Sequence, residues 1–106
     1  MNYVMILGNL VKEPEKVEKA TKTMCKMVVA VNEKYTDSNG ERITNFFNVI
    51  VWGNLAENCL NYLKKGSKVA ITGNLQNRTY EAQNGEKKYI MEIIAREVEF
   101  LNKKED

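Results

Sequence analysis

"TNFFNVIVWGNLAENCLNYLKKGSKVAITG", residues 44–73, holds the change of period on which the fold turns. In its first third Phe47, Val49 and Val51 make one wholly apolar face, which period-two geometry assigns to a core or a subunit interface. The other face reads Phe46, Asn48, Ile50, Trp52, two large rings with an amide between them. For either ring alone ordinary packing is an even bet, but together with Asn48 they make a poor core face and a good platform. From Leu55 to Lys65 the period becomes helical, with Leu55, Cys59, Leu63, Ala56 and Leu60 in one apolar stripe. Asn54 is placed to cap that helix, with Glu57 as the reciprocal partner. Lys64 and Lys65 suit the negative end of its dipole, and Gly66 stops it. "KVAITG", residues 68–73, returns to a strand.

Upstream, "NYVMILGNLV" (2–11) is apolar on both faces, as expected of a strand covered on both sides. "KEPEKVEKATK" (12–22) mixes charges around the only proline, Pro14, and reads as a solvated loop. "MCKMVVAV" (24–31) is a strand with Cys25, Met27, Val29 and Val31 on one face. "EKYTDSNGERI" then runs polar to an Asn39-Gly40 hairpin tip. Downstream, "RTYEAQNGEKKY" (78–89) is a second hairpin with its tip at Asn84-Gly85, inside an arm pair covering 74–95, and "VEFL" (98–101) closes the chain. This order predicts an all-β fold: a five-stranded OB barrel, one short helix between strands three and four, and long β-hairpins. We expect one domain, residues 1–106, with its core in 2–101 and no long C-terminal linker.

Composition removes several function classes. The chain of 106 residues has no histidine, so Ser-His-Asp triads and His-based metal sites are excluded. "KKGSK" (64–68) lacks the spacing of a phosphate-wrapping P-loop. Most carboxylates sit beside a Lys or Arg in turn-like stretches, the pattern of a solvated surface. No enzyme, cofactor or metal is called for. No apolar run approaches the ~20 residues that span a bilayer, and the N-terminus lacks the basic start and cleavage pattern of a secretory signal. Cys25 and Cys59, far apart in apolar company, read as buried reduced thiols of a cytoplasmic protein. The net charge of +2 identifies no polyanion partner, but its distribution is uneven. Residues 26–88 hold nine basic and six acidic side chains, residues 92–106 three and five, so the basic excess lies on the central strands and hairpins.

The exposed aromatics fall on those same arms. Gln76, Arg78 and Tyr80 share one face of their strand and Leu75, Asn77 and Thr79 the other. With Asn84-Gly85 as a two-residue loop, Tyr80 pairs directly with Tyr89, covering part of each ring and leaving part free. Tyr35 repeats the theme beside Lys34 and Arg42. Tyr35, Phe46, Trp52 and Tyr80 thus stand among Lys34, Asn48, Arg78, Lys87 and Lys88. Rings interleaved with cations suit single-stranded nucleic acid, whose bases offer unpaired π-faces with a phosphate between each pair. Four stacks at roughly 1–3 kcal/mol each give on the order of 4–12 kcal/mol before ordering costs, against about 8 for micromolar binding. One domain is marginal and several linked domains are comfortable.

These residues also carry a family likeness. "NYVMILGNL", "NEKYTDSNGE", the long run "FFNVIVWGNLAENCLNYLKKGSKVAITGNLQNRTYEAQNGEKKY" and the closing "EVEFL" resemble the DNA-binding domain of the bacterial single-stranded DNA-binding protein family over residues 2–101. That family is itself a type case of bases stacked on aromatic platforms. The resemblance implies a homotetramer of OB folds with single-stranded DNA wound outside it, serving replication, recombination and repair on the bacterial nucleoid or in a phage or mobile element. It puts the stacking rings at Tyr35, Phe46, Trp52 and Tyr80, matches Arg78 to the phosphate track, and puts Lys64, Lys65 and Lys68 where the family is also basic. It assigns the first strand, including Asn2, Tyr3, Val4, Met5, Ile6 and Leu7, to subunit pairing.

The chain departs from the family pattern in three ways. Gln76 and Asn54 stand where better-known members often carry Arg or Lys, and Tyr replaces Trp at 35 and 80. The family usually continues into a flexible linker with an acidic tip, whereas this chain ends "LNKKED", with Glu105 and Asp106 a faint echo. Recruitment of other proteins through an acidic tail is therefore not expected to carry over. The competing reading is an OB-fold replisome accessory module whose rings dock a protein.

Overall fold

The computed structural model describes residues 1–19 and 21–101, with Lys19 by its backbone alone; Glu105 and Asp106 lie outside the described residues. Six strands and one helix follow in the order β1 (Val4–Leu10), β2 (Glu15–Lys19), β3 (Lys22–Thr36), β4 (Arg42–Trp52), α1 (Gly53–Tyr62), β5 (Lys68–Glu81) and β6 (Lys87–Phe100). The sheet order is β1-β5-β6-β4-β3-β2, and a further β1–β3 pairing closes it. Leaving β2 aside, these are the five strands of an OB barrel, with α1 between the third and fourth, as expected. Closure needs the backbones of β1 and β3 to approach very closely. A Cβ on Gly8 would fall 2.2 Å from the Ala30 carbonyl oxygen, so only glycine fits there.

Period two builds the core as read. Cys25, Met27 and Val29 from β3, Val49 and Val51 from β4, Val69 and Ile71 from β5 and Ile93 from β6 are buried together with Ile6 and Leu10. Ala56, Cys59 and Leu63 stop the barrel's end, with Leu55 and Leu60 packed against them. Both cysteines are free and buried.

Several boundaries differ from expectation. The mixed-charge segment 12–22 is not simply a loop, because β2 pairs antiparallel with β3 over Glu15↔Lys26 to Lys19↔Lys22. Val17 tucks beside Met24 and the ladder covers the outer edge of β3, while Pro14 stays just outside, where its missing N–H costs nothing. The apolar run 24–31 is only part of β3, whose pairing with β4 carries it through the polar "NEKYT". Segment 68–73 and the outgoing hairpin arm form one strand, β5, and the return arm runs on into 98–101 as β6. Thr72 pairs Glu97 but Gly73 pairs Ala95, so Arg96 is bulged and the inward set of β6 switches from Ile93 to Val98.

The helix begins at Gly53 with no side-chain cap, so Asn54 and Glu57 form no capping box. It ends at Tyr62, leaving Lys64 and Lys65 beyond its last turn. Leu63 is already extended because the chain must turn to join β1: Gly66 N–H donates to Leu10 O (2.8 Å) and Leu10 N–H to Ser67 O (2.9 Å).

The tip of the second hairpin is a further correction. Gly85 N–H donates to Ala82 O (2.9 Å) and Ala82 N–H to Glu86 O (2.8 Å), so Gln83 and Asn84 occupy the turn and Gly85 follows at φ +85°. This is a three-residue loop, one residue out of step with an Asn84-Gly85 turn. The register becomes Tyr80↔Lys88 and Thr79↔Tyr89, and the expected Tyr80–Tyr89 pair does not form. Asp37 to Glu41 repeat the arrangement, Asp37 Oδ1 accepting from the N–H groups of Asn39 and Glu41.

Candidate nucleic-acid interface

Cross-strand register gathers the outward residues of four strands, β3, β4, β6 and β5, onto one face. Trp52 lies opposite Met24, Ile50 opposite Lys26, Asn48 opposite Val28 and Phe46 opposite Ala30. The short parallel seam between β4 and β6 adds Glu92 beside Asn48 and Ile94 beside Ile50. Across β6, Glu92 faces Gln76, Ile90 faces Arg78 and Lys88 faces Tyr80. Since cross-strand partners point to the same side, Phe46, Trp52 and Tyr80 share this face with Lys26, Asn48, Gln76, Arg78 and Lys88.

The rings are open to solvent: Phe46 is 64 % exposed, Tyr80 48 % and Trp52 40 %. Ala30, opposite Phe46, is too small to cover it, and Met24 supports one side of Trp52. Between the rings Ile50 is buried, so the platform has an apolar floor. A trough of about 250 Å³ runs past Trp52, lined by Met24, Lys26, Gln76, Arg78, Glu92 and Ile94.

Arg78 is the anchored cation of this face. Its Nε–H donates to Glu92 Oε1 (3.2 Å) and its Nη2–H to Oε2 (3.0 Å). Those hydrogen bonds, and then the carboxylate's charge, raise the guanidinium pKa above its ordinary value. Lys88 Nζ sits 3.4 Å from Glu86 Oε2, an exposed pair that contributes little.

Not every expected residue joins the group. Tyr35 is 60 % exposed but stands beyond the irregular pairing between Asn32 and Thr36, in a groove with Lys34, Met5, Leu7, Val31 and Phe47. Lys87 faces Glu81, on the side of the hairpin away from Tyr80. Lys64, Lys65 and Lys68 lie at the opposite end of β5, roughly 30 Å of strand from Arg78 at about 3.3 Å per residue. In the first strand Ile6 is buried in the chain's own core and Val4 packs against it. Asn2 is committed to β5, its Oδ1 accepting from Leu75 N–H (2.8 Å) and its Nδ2 donating to Leu75 O (2.6 Å). Tyr3, Met5 and Leu7 remain as the outward apolar set.

The whole described barrel coincides with one family. The model of the single-strand binding protein family matches residues 1–101. The chain belongs to that family. Among its relatives, single-stranded DNA-binding protein 1 of Clostridium acetobutylicum is 39 % identical, the match covering 100 % of this chain and 98 % of that protein. Single-stranded DNA-binding protein 2 of Listeria monocytogenes is 39 % identical over 98 % of this chain and 66 % of its own length. A single-stranded DNA-binding protein of Bacillus cereus is 39 % identical over 95 % of this chain and 60 % of its own.

As a member of the single-strand binding protein family, the chain carries two features of the face that its sequence did not announce. Lys26 alternates with the core residues Cys25 and Met27, and that parity was the available signal. Glu92 interrupts the apolar run 90–95, yet only the fold shows that it is buried beneath Arg78. Among the described residues no helix is long and apolar enough to cross a membrane.

Proposed function

We propose that this non-enzymatic protein binds single-stranded DNA without sequence preference, protecting it during replication, recombination and repair, and so works with the cytoplasmic nucleoid. The observation that carries the reading is the single face on which Phe46, Trp52 and Tyr80 stand uncovered among Lys26, Arg78 and Lys88. Unpaired bases lie against the rings and phosphates pass the cations, whereas duplex has no free base faces to offer. Asn48 lies between two of the rings, and Tyr35 with Lys34 extends the path along the β3–β4 arm. Lys64, Lys65, Lys68 and Lys87 then serve a strand that continues around the barrel.

Self-association, to a homotetramer, completes the reading. Tyr3, just ahead of β1, and Met5 and Leu7 on it form an exposed apolar row, and β1 pairs with β3 only at Asn9 and Leu10, which leaves most of one edge open. A strand edge with an apolar face is well suited to a second copy, and linked copies multiply the modest affinity of one platform.

The test is oligo(dT) titration followed by the fluorescence of Trp52. Quenching at low salt, weakening with a log–log slope of about −0.7 per phosphate neutralised, is expected. No quenching overturns the reading. Trp52→Ala with Tyr80→Ala separates it from a protein-docking accessory role: loss of DNA binding with an intact oligomer favours the first, unchanged binding the second.

A further inference from the structure

Glu92 is the one buried carboxylate among the described residues, 5 % exposed, and it lies beneath a face proposed to bind a polyanion. On electrostatic grounds that is the wrong charge in the wrong place. Its row explains its position: Asn48, Glu92 and Gln76 are consecutive partners across β4, β6 and β5, and Arg78 is the next outward residue on β5. The side-on fork onto Glu92 uses two of the five N–H donors of Arg78, fixing the guanidinium plane and leaving three to point outward. Nearly half of the Arg78 side chain is exposed, so those donors are accessible. The pair as a whole is neutral, so a phosphate approaching Arg78 also meets the carboxylate behind it and gains much less than beside a free cation. Lys26 lines the same trough and forms no ion pair among the described residues. Met24 and Ile94 are the apolar neighbours of Trp52 there, and Gln76 and Arg78 are polar groups of the same trough available to the edge of a base laid on that ring.

We propose that Arg78 and Glu92 act as one neutral unit in which Glu92 is a positioning residue, turning Arg78 into a fixed donor fork for the edge of a stacked base, while Lys26 supplies the phosphate contact of the trough. The proposal rests on the single-stranded DNA reading above and divides labour within it. Arg78 contributes affinity with little dependence on salt, and Lys26 contributes dependence on salt.

The experiment measures binding of labelled oligo(dT) by the full chain across a salt series. Glu92→Gln preserves the shape of the side chain and raises the net charge by one. It weakens binding three- to tenfold if Glu92 positions Arg78. If Glu92 only mutes a phosphate-binding arginine, the same change tightens binding and steepens the salt slope; tighter or unchanged binding overturns the proposal. The Arg78→Met/Glu92→Met double variant removes the pair without stranding a buried charge and keeps the question answerable should Glu92→Gln fold poorly. It loses affinity with the wild-type slope, whereas Lys26→Gln flattens the slope by about 0.7 per phosphate lost. A flattened slope in the double variant, or an unchanged one in Lys26→Gln, also overturns the proposal. Failure of the wild type to bind oligo(dT) would instead remove the underlying function. Circular dichroism and solution mass establish that each variant keeps its fold and assembly.

Discussion

Tyr80 stands directly opposite Lys88 on the β5–β6 arm, and Tyr89, one position further along β6, faces Thr79 on the other side of the ribbon. A ring and a cation therefore share the side proposed to face DNA, and the two tyrosines of the arm lie on different surfaces. Tyr80→Ala is expected to cost roughly 1–3 kcal/mol of single-stranded DNA binding per platform, whereas Tyr89→Ala changes affinity by less than about twofold. Parallel titrations of the two variants with oligo(dT) decide it, and equal losses would mean that the ribbon is gripped from both sides.

The row Tyr3, Met5 and Leu7 bears on assembly. Met5→Asp with Leu7→Asp places two charges on it without touching the inward residues Ile6, Gly8 and Leu10. Sedimentation should show a smaller particle whose circular dichroism is still that of the barrel. Persistence of the wild-type mass would mean that copies meet elsewhere.

Gly8 gives a stability test. The methyl group of Gly8→Ala would collide with the Ala30 carbonyl where β1 closes onto β3. Separating those strands is expected to cost about 1–3 kcal/mol, a fall in melting temperature of roughly 4–8 °C per kcal/mol. Gly40→Ala, at an open tip, acts only through the backbone strain of its positive φ and leaves the barrel's ladders intact.

The two thiols predict an alkaline weakness. Burial pushes Cys25 up to about 11 and Cys59 up to about 12, the latter helped by its charge interaction with Cys25. In the unfolded chain both titrate near the ordinary thiol value of about 8.5. Between these limits the unfolded state has lost protons that the folded state retains, so stability is fully present below about pH 8.5 and falls as pH rises through the folded values. Each cysteine removes about 1.4 kcal/mol per pH unit in that window. Melting curves at pH 8 and pH 10 should differ accordingly, with thiolate absorbance appearing only on unfolding.

The sequence spoke plainly where one local signal decided one feature. The alternation of Phe47, Val49 and Val51 with Phe46, Asn48, Ile50 and Trp52 separated core from platform because a strand allows no other arrangement. The order of strands around a single helix sufficed for the barrel. Features chosen by the competition of two distant segments were illegible. β2 exists because the edge of β3 needed a cover, and nothing in "KEPEKVEKATK" favours a strand. The second tip went astray by one residue because "NG" fits both a two-residue turn and a three-residue loop, and the choice belongs to the ladder below it. That single step decided which tyrosine shares a side with Lys88. Glu92 was hidden for a related reason, since its role depends on Arg78 on another strand.

Val4 pairs with Gly73, and the strand bearing Gly73 is itself held by β6 as far as Phe100. On the ribosome the first strand therefore emerges with only β3, at Asn9 and Leu10, to receive it until β5 follows. Its greasy outer row and its inward isoleucine and leucine wait together in the nascent polypeptide until nearly all of the barrel has been translated. The protein therefore reaches its final shape as a late event rather than growing it from the amino end.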